Sequence, residues 1–417
     1  MFKAAFLLAL FSTLSMRGAE SVAARIEADY RAKRQAALSA QWMEVKLPFE
    51  TPAAFLARLL DTARDGDSRA TAALGWAFHE RGDDVRARSW LGSSAERGNR
   101  FAAYLLGVLQ SAKGASGDDA ALSVDWMQKA ADDGLAEAQF EIALRHAQGK
   151  GAPLDPAAAR AWYARAGEQK YAPALCNLAT MELQGTGGAV DLKKAEEHFR
   201  AAADAGFPQG FFGLGQVLRV QNRLADAAAP FERAAEAGIV EADFWLGCIA
   251  CAGAGKPRDE REAAKHFLKA ALGGNVLAQA IAADVLRRGA GVPADPDAAA
   301  RWDVEIEKLS NPELVATIGN LYLEGRLVQR DLAKALHFFR RAAEHGQPAA
   351  QRLAGTLLAS GEAGERDLEE AYQWLWLAAR NGQPEAEPAF QAVLKAMNGP
   401  QIIQAARRAA EFQPQPQ

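Results

Sequence analysis

The chain has 417 residues, 49% of them hydrophobic, with 48 basic and 52 acidic side chains and a formal net charge of −4. That apolar content is ample for a packed core, and the length could hold two or three ordinary domains. Such a mildly acidic balance argues against nucleic acid or an anionic membrane surface as the main partner.

The first stretch, MFKAAFLLALFSTLSMRGAES, places Lys3 before an apolar run, Ala4–Met16, followed by small residues. This pattern predicts a secretory signal peptide over residues 1–21, because the run is too short to span a bilayer. Cleavage after Ser21 puts Ala19 at the minus-three position, while Arg17 leaves a short uncleaved anchor as the alternative. No cysteine follows the run, which excludes a lipid-modified start. The expected location is therefore exported, periplasmic or secreted, with no integral membrane span in the mature chain. Residues 22–66 are expected to form an N-terminal helical cap: a polar amphipathic helix over 22–41, a break at Lys46–Pro52, and a last segment, Phe55–Gly66, that covers the first repeat.

From Asp67 to Gly382 one block recurs, seen most plainly in Asn311–Gly346. Its terminal glycines fall at Gly98, Gly134, Gly206, Gly238, Gly274, Gly346 and Gly382, with Lys170 and Ser310 in the same register. The interval is 36 residues, or 32 between Gly206 and Gly238. A fixed period of this size is the signature of a solenoid. Within the block, Leu314, Ile318, Gly319 and Tyr322 draw the apolar stripe of a first helix. Ala335, Phe338, Ala342 and Ala343 draw that of a second helix, with small residues letting the two approach. Loops Gly149-Lys-Gly151, Gly185-Thr-Gly187, Gly253-Ala-Gly255 and Gly289-Ala-Gly291 precede Asp155, Asp191, Asp259 and Asp295. These aspartates, with Asp331 and Asp367 in weaker loops, are read as N-caps, and Pro156 and Pro296 as first helical residues. A glycine-rich loop before a helix can also cradle phosphate. The absence of a preceding strand and the repetition of the loop favour a structural role. Closing helices are expected over 383–410 and a disordered tail over 411–417.

The pattern A-x-x-x-L-G-x-x-Y…G-x-G…D-x-x-x-A-x-x-W-x-x-K-A-A-x-x-G resembles the Sel-one-like repeats, relatives of the tetratricopeptide repeats. Ala138–Ala166 and Leu178–Gly206 match it closely. About nine units fill residues 67–382, and two of them, 67–98 and 207–238, run four residues short. The resemblance implies an all-α, right-handed α-solenoid of antiparallel helix pairs with helical caps. It also implies a scaffold that binds a protein or peptide on the concave face formed by first helices. Some family members are linked with penicillin binding or weak β-lactam hydrolysis, so an envelope hydrolase is one alternative and a purely structural spacer another.

The residues give little support to chemistry. No HExxH, paired CxxC, G-x-S-x-G or S-x-x-K motif is present, and no cofactor or metal is expected. Cys248 and Cys251 form a CxxC well inside a predicted helix, where a redox pair is not expected. Cys176 lies two repeats earlier. His198 and His266 occupy the slot that Trp or Phe fills elsewhere, and packing is their expected role. Candidate ligand contacts then come from the first helices: Tyr104, Phe140, Thr180, Phe212, Gln216, Arg219, Phe244, Asp284, Arg287, Asn320 and Arg352. Among these, Tyr104, Phe140, Phe212 and Phe244 are expected to form an aromatic stripe for an extended, partly apolar peptide whose polar end Arg219 fixes. A polar row around Asp284, Arg287 and Asn320 is the alternative position. The scaffold is expected to be a monomer.

Overall fold

A computed structural model describes residues 60–414, apart from 81, 112–117 and 365. The expected signal peptide and nearly all of the expected N-terminal cap lie outside the described residues. Contacts divide the remaining chain into two units, which meet between Ala237 and Gly238.

Within the first unit the helices are α1 (Ser68–Glu80), α2 (Asp84–Glu96), α3 (Arg100–Ser111), α4 (Asp118–Asp132), α5 (Ala136–Gln148), α6 (Pro156–Glu168), α7 (Ala172–Gln184), α8 (Leu192–Asp204), α9 (Pro208–Val220) and α10 (Leu224–Glu236). The second unit holds α11 (Val240–Ala252), α12 (Glu260–Leu272), α13 (Val276–Arg288), α14 (Pro296–Glu307), α15 (Pro312–Glu324), α16 (Leu332–Glu344), α17 (Pro348–Ser360), α18 (Leu368–Arg380), α19 (Ala386–Ala396) and α20 (Gly399–Glu411). No strand occurs among the described residues. Helices pair consecutively, and within each unit second helices pack on the first helix of the next pair, as in an α-solenoid, except that α14 barely approaches α15, where α13 meets α15 instead. Nine such pairs correspond to the nine blocks of the sequence, including α9 and α10, whose linker is only Gln221–Arg223.

A glycine on six of the nine first helices explains the closeness of their pairing, and Ala143, Ala179 and Ala283 take its register on the other three. A Cβ on Gly319 would lie 2.7 Å from the ring of Phe339, one on Gly247 2.7 Å from Phe267, and one on Gly215 2.6 Å from Phe231. These rings are at most 1% exposed, so each wedges into a notch that only glycine leaves open. The large partner is thus Phe339 and not Phe338; Phe338 stacks on Tyr322, with centroids 5.9 Å apart and planes 5° from parallel.

Caps hold the helices in register. Asp155 accepts from the amides of Ala157 and Ala158 at 3.0 and 2.9 Å, and Asp191, Asp295, Asp331 and Asp367 each accept from the third residue of their helix. Asp259 accepts from Arg261 and Glu262, both at 2.9 Å. In two of the G-x-G loops the second glycine abuts the preceding repeat: a Cβ on Gly187 would lie 2.3 Å from the Pro156 carbonyl oxygen, and one on Gly291 2.2 Å from that of Glu260. Both have positive φ, so two requirements select glycine there. This packing accounts for the loop without a phosphate. Of the two non-glycine repeat ends, Lys170 adopts the left-handed turn at φ 59°, and Ser310 does not. Instead, Arg341 Nη2 donates to the carbonyls of Glu307 and Leu309 at 2.8 and 3.0 Å, closing α14.

At the C-terminal end α20 lies on α18. The expected disordered tail is corrected at its start: Glu411 still belongs to α20, and Phe412 sets its ring edge-on against Trp374 with centroids 5.3 Å apart.

Candidate binding face

First helices of successive pairs touch directly, α7 against α9 in the first unit and α13 against α15 and α17 against α19 in the second. Apart from α20 on α18, second helices show no comparable approach within either unit. First helices therefore line the inner side of each stack, and side chains in register along them form rows.

The rows differ in depth. In the earliest row, Phe140 and Phe244 are 1% and 4% exposed. Phe140 packs against Tyr163 and Tyr171, both with centroids 5.5 Å away, and Phe244 packs against Trp245 at 5.2 Å and Phe267 at 6.0 Å. They hold helices together and do not form an open aromatic stripe. Tyr104 and Phe212 in the same row are half-buried, with Phe212 5.8 Å from Phe231. One and two turns later along the first helices the rows are more open: Val108, Leu144, Ala147, Thr180 and Asn320 are all half-buried.

Two candidates expected to meet a ligand through charge or amide are buried. Gln216 and Arg219 are 5% and 8% exposed, and Arg219 Nε donates to Gln216 Oε1 at 3.0 Å. Gln216 Nε2 has no hydrogen-bond partner among the described residues. Arg219 is thus engaged inside the fold, which removes it as the surface anchor for a peptide end. In the second unit Asp284 is 5% exposed and ties two repeats: its Oδ2 accepts from Arg288 Nε at 2.8 Å and from the Gln329 amide at 3.1 Å. Arg287 donates to Asp303 at 2.5 Å. Burial, together with the Asp284 and Asp303 carboxylates, drives the Tyr322 hydroxyl well above its ordinary value. Arg352 is half-buried, 3.6 Å from the Glu385 carboxylate. The polar row is therefore largely occupied by its own ion pairs.

His198 and His266 do not simply replace aromatic rings. His198 Nδ1 lies 2.8 Å from Glu182 Oε2, and His266 Nδ1 lies 3.0 Å from Asp243 Oδ1. Both carboxylates are 3% exposed. Lys269 Nζ reaches Asp243 at 2.8 Å. Burial alone would raise the Asp243 carboxyl, but hydrogen bonds from His266 and Lys269 hold it below the usual carboxylate range. Cys248 and Cys251 lie half-buried on α11, and no disulfide joins the cysteines. Burial pushes the Cys251 thiol up, against the thiolate a redox pair needs. Among the described residues no group of three His, Cys, Asp or Glu side chains converges to hold a metal ion.

A cavity of about 170 Å³ opens on this face at the seam of the third and fourth pairs. Tyr163 of α6 and Met181 of α7 are its buried lining, Asn177 and Thr180 its half-buried wall, and Gln184 its exposed edge. Only Thr180 was among the residues the sequence pointed to. Asn177, Met181 and Gln184 were missed, although their spacing on one helix face is readable once α7 is located.

The Sel1 repeat family model matches residues 68–99, 100–135, 136–171, 172–207, 240–275, 276–302, 317–347 and 348–383. It passes over α9 and α10, which nevertheless form a pair like the others. Among solved structures the chain is similar to a protective antigen present in uropathogenic Escherichia coli strains displaying an SLR fold, at 22% identity over 93% of each chain and a TM-score of 0.59. It is also similar to a Sel1 repeat protein from Oxalobacter formigenes, at 26% identity over 73% of this chain and 89% of that one, with a TM-score of 0.50. No curated protein sequence matches it.

Proposed function

The chain belongs to the Sel1 repeat family, whose helical solenoids are generally non-enzymatic interaction scaffolds, and from its geometry we propose that it holds a protein or peptide partner on the face lined by first helices. The observation that carries this reading is the accumulation of half-buried, mostly uncharged side chains on that face of the first unit. Tyr104 and Val108 on α3, Leu144 and Ala147 on α5, Asn177 and Thr180 on α7, and Phe212 on α9 all sit there. Half-buried apolar side chains are where a partner gains most by excluding water. Ordered helices also present these groups without an entropic cost of assembly. The apolar start of the sequence, Ala4–Met16 behind Lys3, supports export, so the partner is sought in the cell envelope. No helix among the described residues is long and apolar enough to cross a membrane.

The test is crosslinking in the native envelope followed by purification of the chain, with Tyr104→Ala and Phe212→Ala compared with the unaltered protein after melting is shown to be unchanged. Loss of a discrete crosslinked partner in the variants supports the reading. Equal recovery of the same partner from both variants contradicts it.

A further inference from the structure

The cavity between the third and fourth pairs has the size and chemistry of a site for one side chain. At about 170 Å³ it is close to cavities that accept a benzene-sized body, and it is below the roughly 300–1,000 Å³ of pockets for drug-sized ligands. No lining residue carries a charge. A charged side chain entering it would lose hydration with no ion pair in return. The buried lining is the Tyr163 ring and Met181, joined by Ala147 and Pro156, which favours an aliphatic group.

The polar groups along the opening fit a polypeptide backbone. Asn177 Nδ2 donates to Tyr163 Oη at 3.1 Å, which orients the carboxamide and leaves Oδ1 without a donor among the described residues. The Thr180 hydroxyl is spent on the Cys176 carbonyl at 2.8 Å. Gln184, two turns beyond Asn177 on the same face of α7, presents a second amide at the exposed edge. Seven residues of helix separate the two amides by about 10 Å. An extended chain covers that distance in about three residues, with its middle side chain turned opposite to its neighbours. A segment held at Asn177 and Gln184 therefore turns its middle side chain into the cavity at Met181.

We propose that this cavity is the specificity pocket for one neutral aliphatic side chain, of valine or leucine size, in an extended partner segment whose backbone is held by Asn177 and Gln184. The inference rests on the scaffold reading above and names the chemistry of the partner.

The probe is a set of capped tripeptides, acetyl-Ala-X-Ala-amide with X as Leu, Val, Glu or Lys, titrated into the full chain carrying labelled methionine methyls. With six methionines in the sequence, the Met181 signal is assigned by its loss in Met181→Leu. The Leu and Val peptides are expected to shift Met181 saturably, with the Glu and Lys peptides at least tenfold weaker. Ala147→Leu, which fills the cavity, is expected to weaken the Leu peptide at least tenfold. Gln184→Ala, at the exposed edge where the core is undisturbed, is expected to weaken it several-fold and stands in should Ala147→Leu fail to fold. Equal shifts from Leu and Glu peptides, no Met181 shift, or an unchanged response in the folded variants would each overturn the proposal. An envelope crosslink that persists while the peptides fail removes only the pocket. A Leu-selective shift with no crosslinked partner removes only the larger scaffold reading.

Discussion

Replacing Gly319 by alanine tests the notch packing found in six of the nine pairs. In a helix the exchange alone stabilises by about 1 kcal/mol, because glycine loses more freedom on folding. Here the added Cβ would lie 2.7 and 2.8 Å from two ring carbons of Phe339, which is fully buried and has no room to withdraw. Forcing a methyl into such a contact costs typically 1–3 kcal/mol. The clash is expected to win, leaving Gly319→Ala destabilised by roughly 1–2 kcal/mol in urea unfolding followed by circular dichroism. Shortening the ring relieves the contact, so Gly319→Ala with Phe339→Leu should be less destabilised than the two single changes summed, by at least about 0.5 kcal/mol. Because a solenoid can unfold in parts, the comparison uses the transition of the second unit, reported by a probe near α16. Stabilisation of Gly319→Ala by the full helical gain, with no coupling to Phe339, would refute the notch.

Other consequences follow from the same geometry. Asp243 is held below the usual carboxylate range, so it contributes stability above its unfolded value that is lost as pH falls through its folded value. Asp243→Asn should flatten the acid limb of the stability profile and cost about 1–3 kcal/mol at neutral pH; an unchanged acid limb would count against the His266–Asp243–Lys269 cluster. The Cys251 thiol, pushed up by burial, should alkylate more slowly at neutral pH than a model thiol, and a faster rate would point to a reactive pair after all. Gly187→Ala should destabilise the first unit, since its positive φ and the Pro156 carbonyl at 2.3 Å both oppose a side chain. Inorganic phosphate should leave melting unchanged, whereas a concentration-dependent rise would restore the anion reading of the loops.

The architecture was legible because it is written many times. The period, the aspartate caps and the positive-φ glycines each follow from local backbone needs that recur in most blocks. The candidate face was less legible because burial depends on how neighbouring helices overlap. Phe140 and Tyr104 share a sequence slot, yet Phe140 is enclosed by Tyr163 and Tyr171 while Tyr104 stays half-open. The same overlap put Phe339, one residue beyond the expected Phe338, into the glycine notch. The partners of His198 and His266 were not legible because the sequence shows the slot but not the buried carboxylate opposite it. Asn177 escaped notice beside Cys176, since a one-residue step on a helix turns a side chain by a large angle and moves it to another row.

The most direct measurement is site-specific photocrosslinking in native cells, with a benzophenone side chain placed in turn at Tyr104, at Phe212 and at Glu197, an exposed residue of second helix α8. A discrete protein adduct from Tyr104 and Phe212 but not from Glu197 is the predicted result. An adduct from Glu197 alone would place the partner on the outer helices and contradict the account.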